Sequence, residues 1–477
     1  MDSPQLIDIK SLEEVHKEVT GIKLEKIIIP RVEQHEVQLL GPAPEFIAAV
    51  GMSRLWDARA AGREVAENTL KKLNGKKPDF FLLFTTIHYE KHGGFQEFLN
   101  GVWEVLPENT PLIGGTVAGF MNPEGCYTRG ATALAVNYPN MDVAIGIGHN
   151  VKRTPYLAAT ECSQVIKKQI KESQYKNKFV VSVTSGPSVP SLPGVGTKRY
   201  FQSKFIGRVL TLGLKYSSLI YQKGFGREGE VLEYLGDFIG PISLVGTSSS
   251  DDNNLRANYS FYNKKVIKNC ILSMLICSDL DYLSFGGHGF KPKSGEYTIT
   301  KKSLWGYIIS EIDGKPALDK FLEMTGWSKD TIVDEQFYRK MFFYPLGFKD
   351  SGGNYRPVTI GAIWGKSLVC GCRIATEKVT LLTNSGSGML SVVEQILSNV
   401  PSNIGLGMFF SCAIRLEALG ANVFKSHQLI SDKFNGKPFL LTFGFGESFG
   451  SELTKPVNFN VSVQSLIINQ SNKVEKW

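Results

Sequence analysis

The stretch Pro111-Leu112-Ile113-Gly114-Gly115-Thr116-Val117-Ala118-Gly119 indicates how this chain of 477 residues folds. It joins a short apolar run, which is typical of a buried strand, to two successive glycines, which suit a tight turn or a close backbone approach. Stretches of the same kind recur at 241–250 and 438–447, and each opens with proline. We therefore expect three equivalent strand ends in the folded protein.

Each of these three stretches has an apolar, β-branched partner upstream that ends in Thr or Ser. The partners are Phe80 to Thr86, Phe179 to Ser185 and Met408 to Ser411, and a helical pattern separates each partner from its glycine turn. Alternating strands and helices of this kind are typical of a mixed α/β fold. We predict two lobes of mixed β-sheets covered by helices and built from repeated strand–helix–strand–hairpin units.

Two local interpretations complete this prediction. Residues 130–135 and 143–147 have strand character and are joined by Tyr138-Pro139-Asn140, so they are expected to form a hairpin. Residues 217–221, Ser-Ser-Leu-Ile-Tyr, are also expected to form a strand.

Changes in composition along the chain predict four segments. Residues 1–47 form an N-terminal extension with an amphipathic helix over 11–19, and residues 48–297 contain the first two repeats. A second domain follows over 298–463, and residues 464–477 form a tail. A chain of this length is ample for two domains with substantial cores.

Composition and charge restrict the possible partners. Hydrophobic residues make up 42% and charged residues 21% of the chain, and the net charge of +8 is spread along it in short basic pairs. Nucleic-acid binding favours a concentrated basic patch, so we do not expect a nucleic-acid partner. No apolar run approaches the roughly 20 residues that span a bilayer, and the N-terminus does not resemble a signal peptide. The chain is therefore expected to be cytoplasmic, with no membrane partner.

The cysteines and histidines define no cofactor. The seven cysteines are few and odd in number, as expected in a reducing compartment, and Cys370-Gly-Cys372 lacks a second pair to complete a zinc site. None of the seven histidines has helical metal-ligand spacing, although His88 and His92 are four residues apart. No metal is expected, and the cofactor is unknown.

Two motifs suggest chemistry, and each has a simpler structural explanation. The stretch Gly224-Phe-Gly226-Arg-Glu-Gly229 fits the dinucleotide fingerprint, but the helical stretch before Gly236 is too short for the usual crossover, which favours a surface turn. Cys412 ends a strand with Arg415 three residues on, so its thiol pKa is potentially lowered for nucleophilic catalysis. A cysteine at a strand end is more often buried packing, and we expect no enzyme.

The glycine turns favour a binding site. Successive backbone N–H groups at strand ends can hold an anion, and small ligands often bind where strand ends face one crevice. Charged residues lie at neighbouring strand or turn ends, so a pocket for a small zwitterion or anion is predicted. Its predicted ligand-binding residues are Gly114, Gly115, Thr116, Gly246, Thr247, Ser248, Arg356, Ser411, Cys412, Arg415, Gly446 and Glu447.

Several phrases in this order resemble the FIST family of intracellular sensory proteins. The phrases that carry the resemblance are Val50-Gly-Met-Ser53, Ala61-Gly-Arg-Glu64, Leu112 to Gly119, Pro241 to Asp251, Asp313 to Asp319, Tyr344-Pro-Leu-Gly347, Phe410 to Arg415 and Gly444 to Glu447. The resemblance covers about residues 48 to 455 and identifies 48–297 as a FIST N-terminal domain and 298–463 as a FIST C-terminal domain.

The resemblance implies a sensory domain for a small ligand, such as an amino acid or related carboxylate, that acts in signal transduction. Because no output domain is recognisable and residues 1–47 lack the Leu-Pro opening of an F-box, it implies a separate protein signalling partner. Phe120 stands where the family often has an acidic residue, so ligand preference is expected to differ. Some family members are haem-binding gas sensors, which is the alternative function, and an enzyme that uses Cys412 is a third.

Overall fold

The computed structural model describes residues 44–189, 198–332, 334–350 and 353–470. The helix predicted over 11–19 and residues 471–477 of the predicted tail lie outside these ranges. The described chain is mixed α/β, as predicted, and contains three repeats of one strand and helix pattern.

The first repeat runs from residue 47 to residue 137. Its elements are β1 (Ile47–Ser53), α1 (Ala58–Lys71), β2 (Phe80–Thr85), α2 (Phe95–Trp103), β3 (Leu112–Thr116), β4 (Gly119–Asn122), β5 (Gly125–Tyr127) and β6 (Ala131–Asn137). Asp57 caps α1, since its carboxylate accepts a hydrogen bond of 2.8 Å from the Ala60 N–H. The strand order is β1-β6-β2-β3, with β2 and β3 parallel.

The second repeat runs from residue 141 to residue 278. Its elements are β7 (Met141–His149), α3 (Pro155–Gln169), β8 (Asn177–Ser185), β9 (Tyr200–Phe201), α4 (Lys204–Tyr216), α5 (Glu228–Ile239), β10 (Ser243–Ser249), β11 (Ser260–Tyr262), β12 (Lys265–Ile267) and β13 (Cys270–Ser278). Its strand order, β7-β13-β8-β10, matches that of the first repeat. Residues 217–221 form a π-helical turn after α4, so the strand predicted there is wrong. The turn ends at Gln222, whose φ of 53° is left-handed and stops the helix.

The third repeat begins at β14 (Tyr282–Gly287) and is interrupted by residues 291–383, which we call the insert. The insert contains β15 (Lys291–Ser303), β16 (Ile308–Ile312), β17 (Lys315–Pro316), α6 (Ala317–Thr325), α7 (Asp334–Met341), β18 (Leu346–Lys349), β19 (Tyr355–Val358), β20 (Ile360–Trp364), β21 (Ser367–Cys370) and β22 (Lys378–Thr383). Its strands form one sheet in the order β19-β18-β22-β15-β16-β21-β20-β9, so the second repeat contributes the last strand.

After the insert, the third repeat resumes the common pattern. Its remaining elements are α8 (Gly386–Ser398), β23 (Ile404–Cys412), α9 (Ala413–Ala418), α10 (Asn422–Phe434), β24 (Phe439–Gly444), β25 (Glu447–Ser451), β26 (Thr454–Phe459) and β27 (Val463–Asn469). The strand order β14-β27-β23-β24 again matches. The third repeat therefore starts before residue 298, where the second domain was predicted to begin.

The hairpin of each repeat adds to the sheet of another repeat. Strands β4 and β5 extend the third sheet beside β24, β11 and β12 extend the first beside β3, and β25 and β26 extend the second beside β10. The predicted hairpin of residues 130–135 and 143–147 is wrong, because β6 pairs with β1 and β2 while β7 pairs with β13 in another sheet. The residues between them, 138–140, connect two repeats.

The alternation along each strand divides the apolar residues between the two faces of the sheet. Phe80, Leu82 and Phe84 of β2 belong to a core shared by all three sheets, whereas Phe81 and Leu83 pack beneath helices α1 and α2. This alternation follows from the period of two along a strand. Equivalent helix layers cover the second and third sheets. Among the described residues, no helix has the length and apolar character needed to cross a membrane.

Candidate functional site

The structure brings the three glycine turns together, as the sequence suggested, but they meet in close contact. The Ser250 N–H donates to the Thr116 carbonyl at 2.8 Å, and the Ala118 N–H donates to the Phe443 carbonyl at 2.8 Å. The Ser248 N–H donates to the Gly446 carbonyl at 3.0 Å. These N–H groups already have protein acceptors, so they do not form an open anion-binding nest.

The glycines themselves are explained by strand packing. A Cβ on Gly114 would lie 1.7 Å from the Leu83 carbonyl oxygen, and one on Gly246 would lie 2.0 Å from the Ser182 carbonyl oxygen. A Cβ on Gly115 would lie 2.8 Å from the Tyr259 oxygen. Side chains at these positions are sterically excluded by the neighbouring strand.

The small polar residues beside these glycines are also sealed in the interior. Thr116 Oγ1 accepts a hydrogen bond of 3.1 Å from the Tyr259 N–H, and Thr247 Oγ1 lies 3.5 Å from the Gly446 carbonyl. Ser248 and Ser411 are buried, and the Ser248 hydroxyl has no partner among the described residues. We call the region around these turns, together with Cys412, Arg415 and Glu447, the sealed centre.

Two ionisable side chains of opposite type, one basic and one acidic, are buried in the sealed centre. Arg415 is 1% exposed and Glu447 is 0% exposed. Arg415 Nη2 donates to the Met389 carbonyl at 2.9 Å, but its Nε and Nη1 have no partner among the described residues. Glu447 Oε2 accepts hydrogen bonds from the Ser462 N–H at 3.1 Å and the Ser462 hydroxyl at 2.7 Å, and Oε1 has no described partner.

Burial is the main cause of the shifted pKa values in the sealed centre. It raises the pKa of Glu447 to about 8 and lowers the pKa of Arg415 to about 10, although each charge partly offsets the effect on the other. Burial also raises the pKa of the Cys412 thiol, and Glu447 raises it further. The suggested lowering of the Cys412 pKa by Arg415 is therefore wrong, because desolvation outweighs the guanidinium.

Arg356 and Gly446 approach this centre from the insert and from the last turn. Arg356 Nη2 donates to the Asn458 carbonyl at 2.8 Å, and its guanidinium lies over the rings of Phe348 and Phe459. Gly446 has a φ of 119°, and a Cβ there would lie 2.7 Å from Asn458 Oδ1. Both residues therefore contact Asn458 from different elements.

A cavity of about 170 Å³ lies beside the sealed centre, and none of the twelve predicted residues lines it. Its walls come from residues within 187–189, 198–225 and 254–256 of the second repeat, from residues within 338–371 of the insert, and from Ile414 and Phe445 of the third repeat. We call it the aromatic cavity because of its rings, which belong to Phe201, Phe225, Tyr338, Phe342, Trp364 and Phe445. An engineered apolar cavity of about 150 Å³ binds benzene, so this volume suits one small ring.

The charged residues described in the lining of the aromatic cavity all have the same sign. Lys198, Arg199 and Arg256 line it, and the described lining includes no acidic residue. The Arg199 guanidinium lies 3.6 Å from the centre of the Tyr338 ring, and its Nη2 donates to the Asn253 carbonyl at 2.8 Å. The Arg256 guanidinium has no hydrogen bond or ion pair within the described ranges. The arrangement suits an apolar or aromatic body with a negative charge.

The sequence pointed to the aromatic cavity only through neighbours of the predicted residues. Ile414 and Phe445, which line it, are sequence neighbours of the predicted residues Arg415 and Gly446. The predicted residues therefore lie on turns that border the aromatic cavity, but their side chains face the sealed centre. The other walls could not be found in this way, because they come from segments far apart in the sequence.

The histidines do not converge on a haem site in the described structure. His149 is exposed and its Nδ1 lies 2.8 Å from Glu161. The half-buried His288 has its Nε2 2.7 Å from the Tyr355 carbonyl oxygen, and its Nδ1 accepts a hydrogen bond from the Phe290 N–H. His88 and His92 line a separate cavity of about 370 Å³. Within the described ranges, no cluster of three or more His, Cys, Asp or Glu residues is placed to hold a metal.

The family comparisons agree with this architecture. The FIST N domain matches residues 79–315 and the FIST C domain matches residues 317–449. The chain belongs to the FIST family, whose domains are generally sensory and bind small ligands. The boundary between the two matches falls inside the insert.

The chain is also similar in part to individual proteins. An uncharacterized protein of Methanocaldococcus jannaschii is 33% identical over 138 residues, which are 27% of this chain and 26% of that protein. The match thus spans about a quarter of the relative's length. A cyanuric acid hydrolase structure from A. caulinodans aligns with a TM-score of 0.27 and 9% identity over 50% of this chain and 72% of its own. Another structure of that enzyme aligns with a TM-score of 0.30 and 11% identity over 90% and 100%, and such scores support no inference.

Proposed function

We propose that this chain is a non-enzymatic cytoplasmic sensor that binds a small aromatic or apolar carboxylate, such as an amino acid, in the aromatic cavity. It signals through a separate protein. The observation that carries this proposal is a ring-lined cavity of about 170 Å³ with three cations and no acidic residue in its described lining. Family membership supplies the sensory role.

The position of the aromatic cavity supports a sensory role. Its lining includes Leu210 and Leu214 of α4, Ala362 of the insert, and Ile414 of the third repeat. A ligand there contacts three parts of the chain at once, so it can favour one arrangement of them by its differential contacts. Most of the lining is apolar, which gives affinity, while the few cations give orientation.

Calorimetric titration of the full chain tests the proposal with phenylacetate, L-phenylalanine and 2-phenylethylamine. Phenylacetate is expected to bind at least tenfold more tightly than 2-phenylethylamine, which has a similar ring but a positive charge. At a hundredfold excess over its Kd, a ligand also stabilises the folded chain by about 2.7 kcal/mol in thermal unfolding.

A substitution that fills the aromatic cavity locates the binding. Ala362→Phe is expected to abolish phenylacetate binding, whereas Ala60→Phe, at an exposed position of α1, is expected to leave it unchanged. Absence of binding by all three compounds, or equal binding by the Ala362→Phe chain, would contradict the proposal. Mass spectrometry of any co-purified ligand provides an independent identification.

A further inference from the structure

Helix α4 exposes an apolar stripe on the side opposite the aromatic cavity. Phe205, Val209, Leu212 and Tyr216 are 75%, 54%, 59% and 56% exposed. Their spacing of four, three and four residues places them on one face of the helix. Large apolar side chains this exposed, and contiguous, are unusual on a protein surface and mark interaction sites.

The other face of α4 is already occupied. Gly207 and Leu214 are buried, and Leu210 and Leu214 line the aromatic cavity. A helix that is apolar on two opposite faces is normally covered on both. The described structure covers only one of the two.

The apolar surface continues beyond the helix. Ile220 and Tyr221 of the following turn are 59% and 75% exposed. Arg153 donates hydrogen bonds to the carbonyls of Leu219 at 2.6 Å and Ile220 at 2.8 Å, which fixes this turn against the start of α3. We call Phe205, Val209, Leu212, Tyr216, Ile220 and Tyr221 the α4 patch.

The charge around the α4 patch selects its partner. Residues 198–223 contain six cations and no acidic residue, the cations being Lys198, Arg199, Lys204, Arg208, Lys215 and Lys223. Lys204, Arg208 and Lys215 are exposed and form no ion pair within the described ranges. A second copy of the chain would place like charges against each other, whereas an acidic partner would complement them.

We propose that the α4 patch docks an acidic amphipathic helix of a partner protein, with its apolar face on the stripe and its carboxylates on the basic flank. If the α4 patch is the output surface of the sensor, ligand and partner contact opposite faces of one helix. This role of the patch rests on the proposed function. Docking itself requires no ligand.

Fluorescence anisotropy with two synthetic 18-residue helical peptides tests the docking on the full chain. Both peptides carry Leu at positions i, i+4, i+7 and i+11, and the flanking positions are Glu in one and Lys in the other. The Glu peptide is expected to bind at least tenfold more tightly than the Lys peptide at low salt, and its binding is expected to weaken as salt rises.

Substitutions at exposed positions define the surface without endangering the fold. Phe205→Ser combined with Leu212→Ser is expected to weaken Glu-peptide binding at least tenfold, and so is Arg208→Glu combined with Lys215→Glu. Phe424→Ser is the matched control, because Phe424 is 65% exposed on α10, away from the α4 patch. Phenylacetate titration of the same variants reports separately on the proposed function.

Several outcomes would overturn the docking proposal. They are failure of the Glu peptide to bind, equal binding of the two peptides, or an equal loss in the Phe424→Ser control. Self-association that Phe205→Ser removes would instead assign the α4 patch to a second copy. Binding to phosphatidylserine vesicles without peptide binding would assign it to a lipid surface.

Discussion

The sealed centre and the aromatic cavity are adjacent, share two turns of the chain, and have opposite physical character. The centre holds a buried basic and a buried acidic side chain whose polar atoms are only partly hydrogen-bonded, whereas the cavity is an open space lined by rings and cations. In α9, Arg415 faces the centre and Ile414 the cavity. Neighbouring residues of one turn can therefore serve a structural role and a binding role.

The difference shows that glycine and buried charge, taken alone, are weak guides to a ligand site. Gly114 and Gly246 are required by strand packing, and their neighbours use their backbone N–H groups inside the protein. Arg415 is too deeply buried to meet a ligand without rearrangement. If the proposed function holds, substitutions in the sealed centre change stability, whereas substitutions in the aromatic cavity change ligand affinity.

The largest expected effect is loss of stability on Gly114→Ala. The added Cβ would lie 1.7 Å from the Leu83 carbonyl oxygen, so the strands must separate, at a cost of about 3 kcal/mol in the free energy of unfolding. Gly213→Ala is the control, because nothing lies within 4 Å of its Cβ and α4 gains up to about 1 kcal/mol of helix propensity. Urea unfolding measures both, and equal stability of the two variants would contradict this account of the sealed centre.

The next effect is a pH dependence that Glu447→Gln removes. The folded pKa of Glu447 is raised to about 8, so between its unfolded value of 4.5 and pH 8 the folded chain holds a proton that the unfolded chain has lost. Stability therefore falls as pH rises through this window. Between pH 5 and 8 we expect the wild type to lose roughly 3 kcal/mol more than Glu447→Gln. Parallel stability profiles of the two chains would show that Glu447 is ionised in the folded state.

A smaller effect, on phenylacetate affinity alone, is expected from a substitution in the aromatic cavity. Arg256→Gln removes a cation of the aromatic cavity, and loss of one charge-assisted contact of about 1.4 kcal/mol weakens phenylacetate binding about tenfold. Arg373→Gln is the control, since Arg373 is exposed and does not line the aromatic cavity. Titration calorimetry compares the two variants. An unchanged Kd for phenylacetate in Arg256→Gln would show that Arg256 does not contribute to binding.

The smallest expected effect is in thiol reactivity. Cys412 is buried and its pKa is raised, so iodoacetamide at pH 7.5 is expected to leave it unmodified in the folded chain. Cys126 is the internal comparison, because it is only half-buried and should react first. Peptide mass spectrometry after a short pulse gives the order of labelling. Rapid modification of Cys412 would instead support the third alternative, an enzyme that uses this thiol.

Much of the fold was predictable because local patterns specify strands and their sharp ends. The runs at Phe80, Phe179 and Met408 form β2, β8 and β23, and their glycine-turn partners form β3, β10 and β24. Apolar, β-branched runs followed by glycine carry this information within a few residues.

The pairing of the strands was not predictable in the same way. A period of two identifies a strand but not its neighbour, so the sequence predicts a hairpin of β6 and β7 although these strands lie in different sheets. The exchange of hairpins between repeats and the start of the third repeat at β14 depend on contacts far apart in sequence. The aromatic cavity has the same origin, since its walls run from Pro187 to Phe445.

The insert affects the number of ligands that one chain is expected to bind. Strand order alone gives the three repeats an approximate threefold symmetry, which would offer three equivalent positions for a ligand. The insert interrupts only the third repeat and builds one wall of the aromatic cavity against the second, so it breaks that symmetry. The proposed ligand site is therefore expected once in a fold made of three copies, with saturation at one ligand per chain.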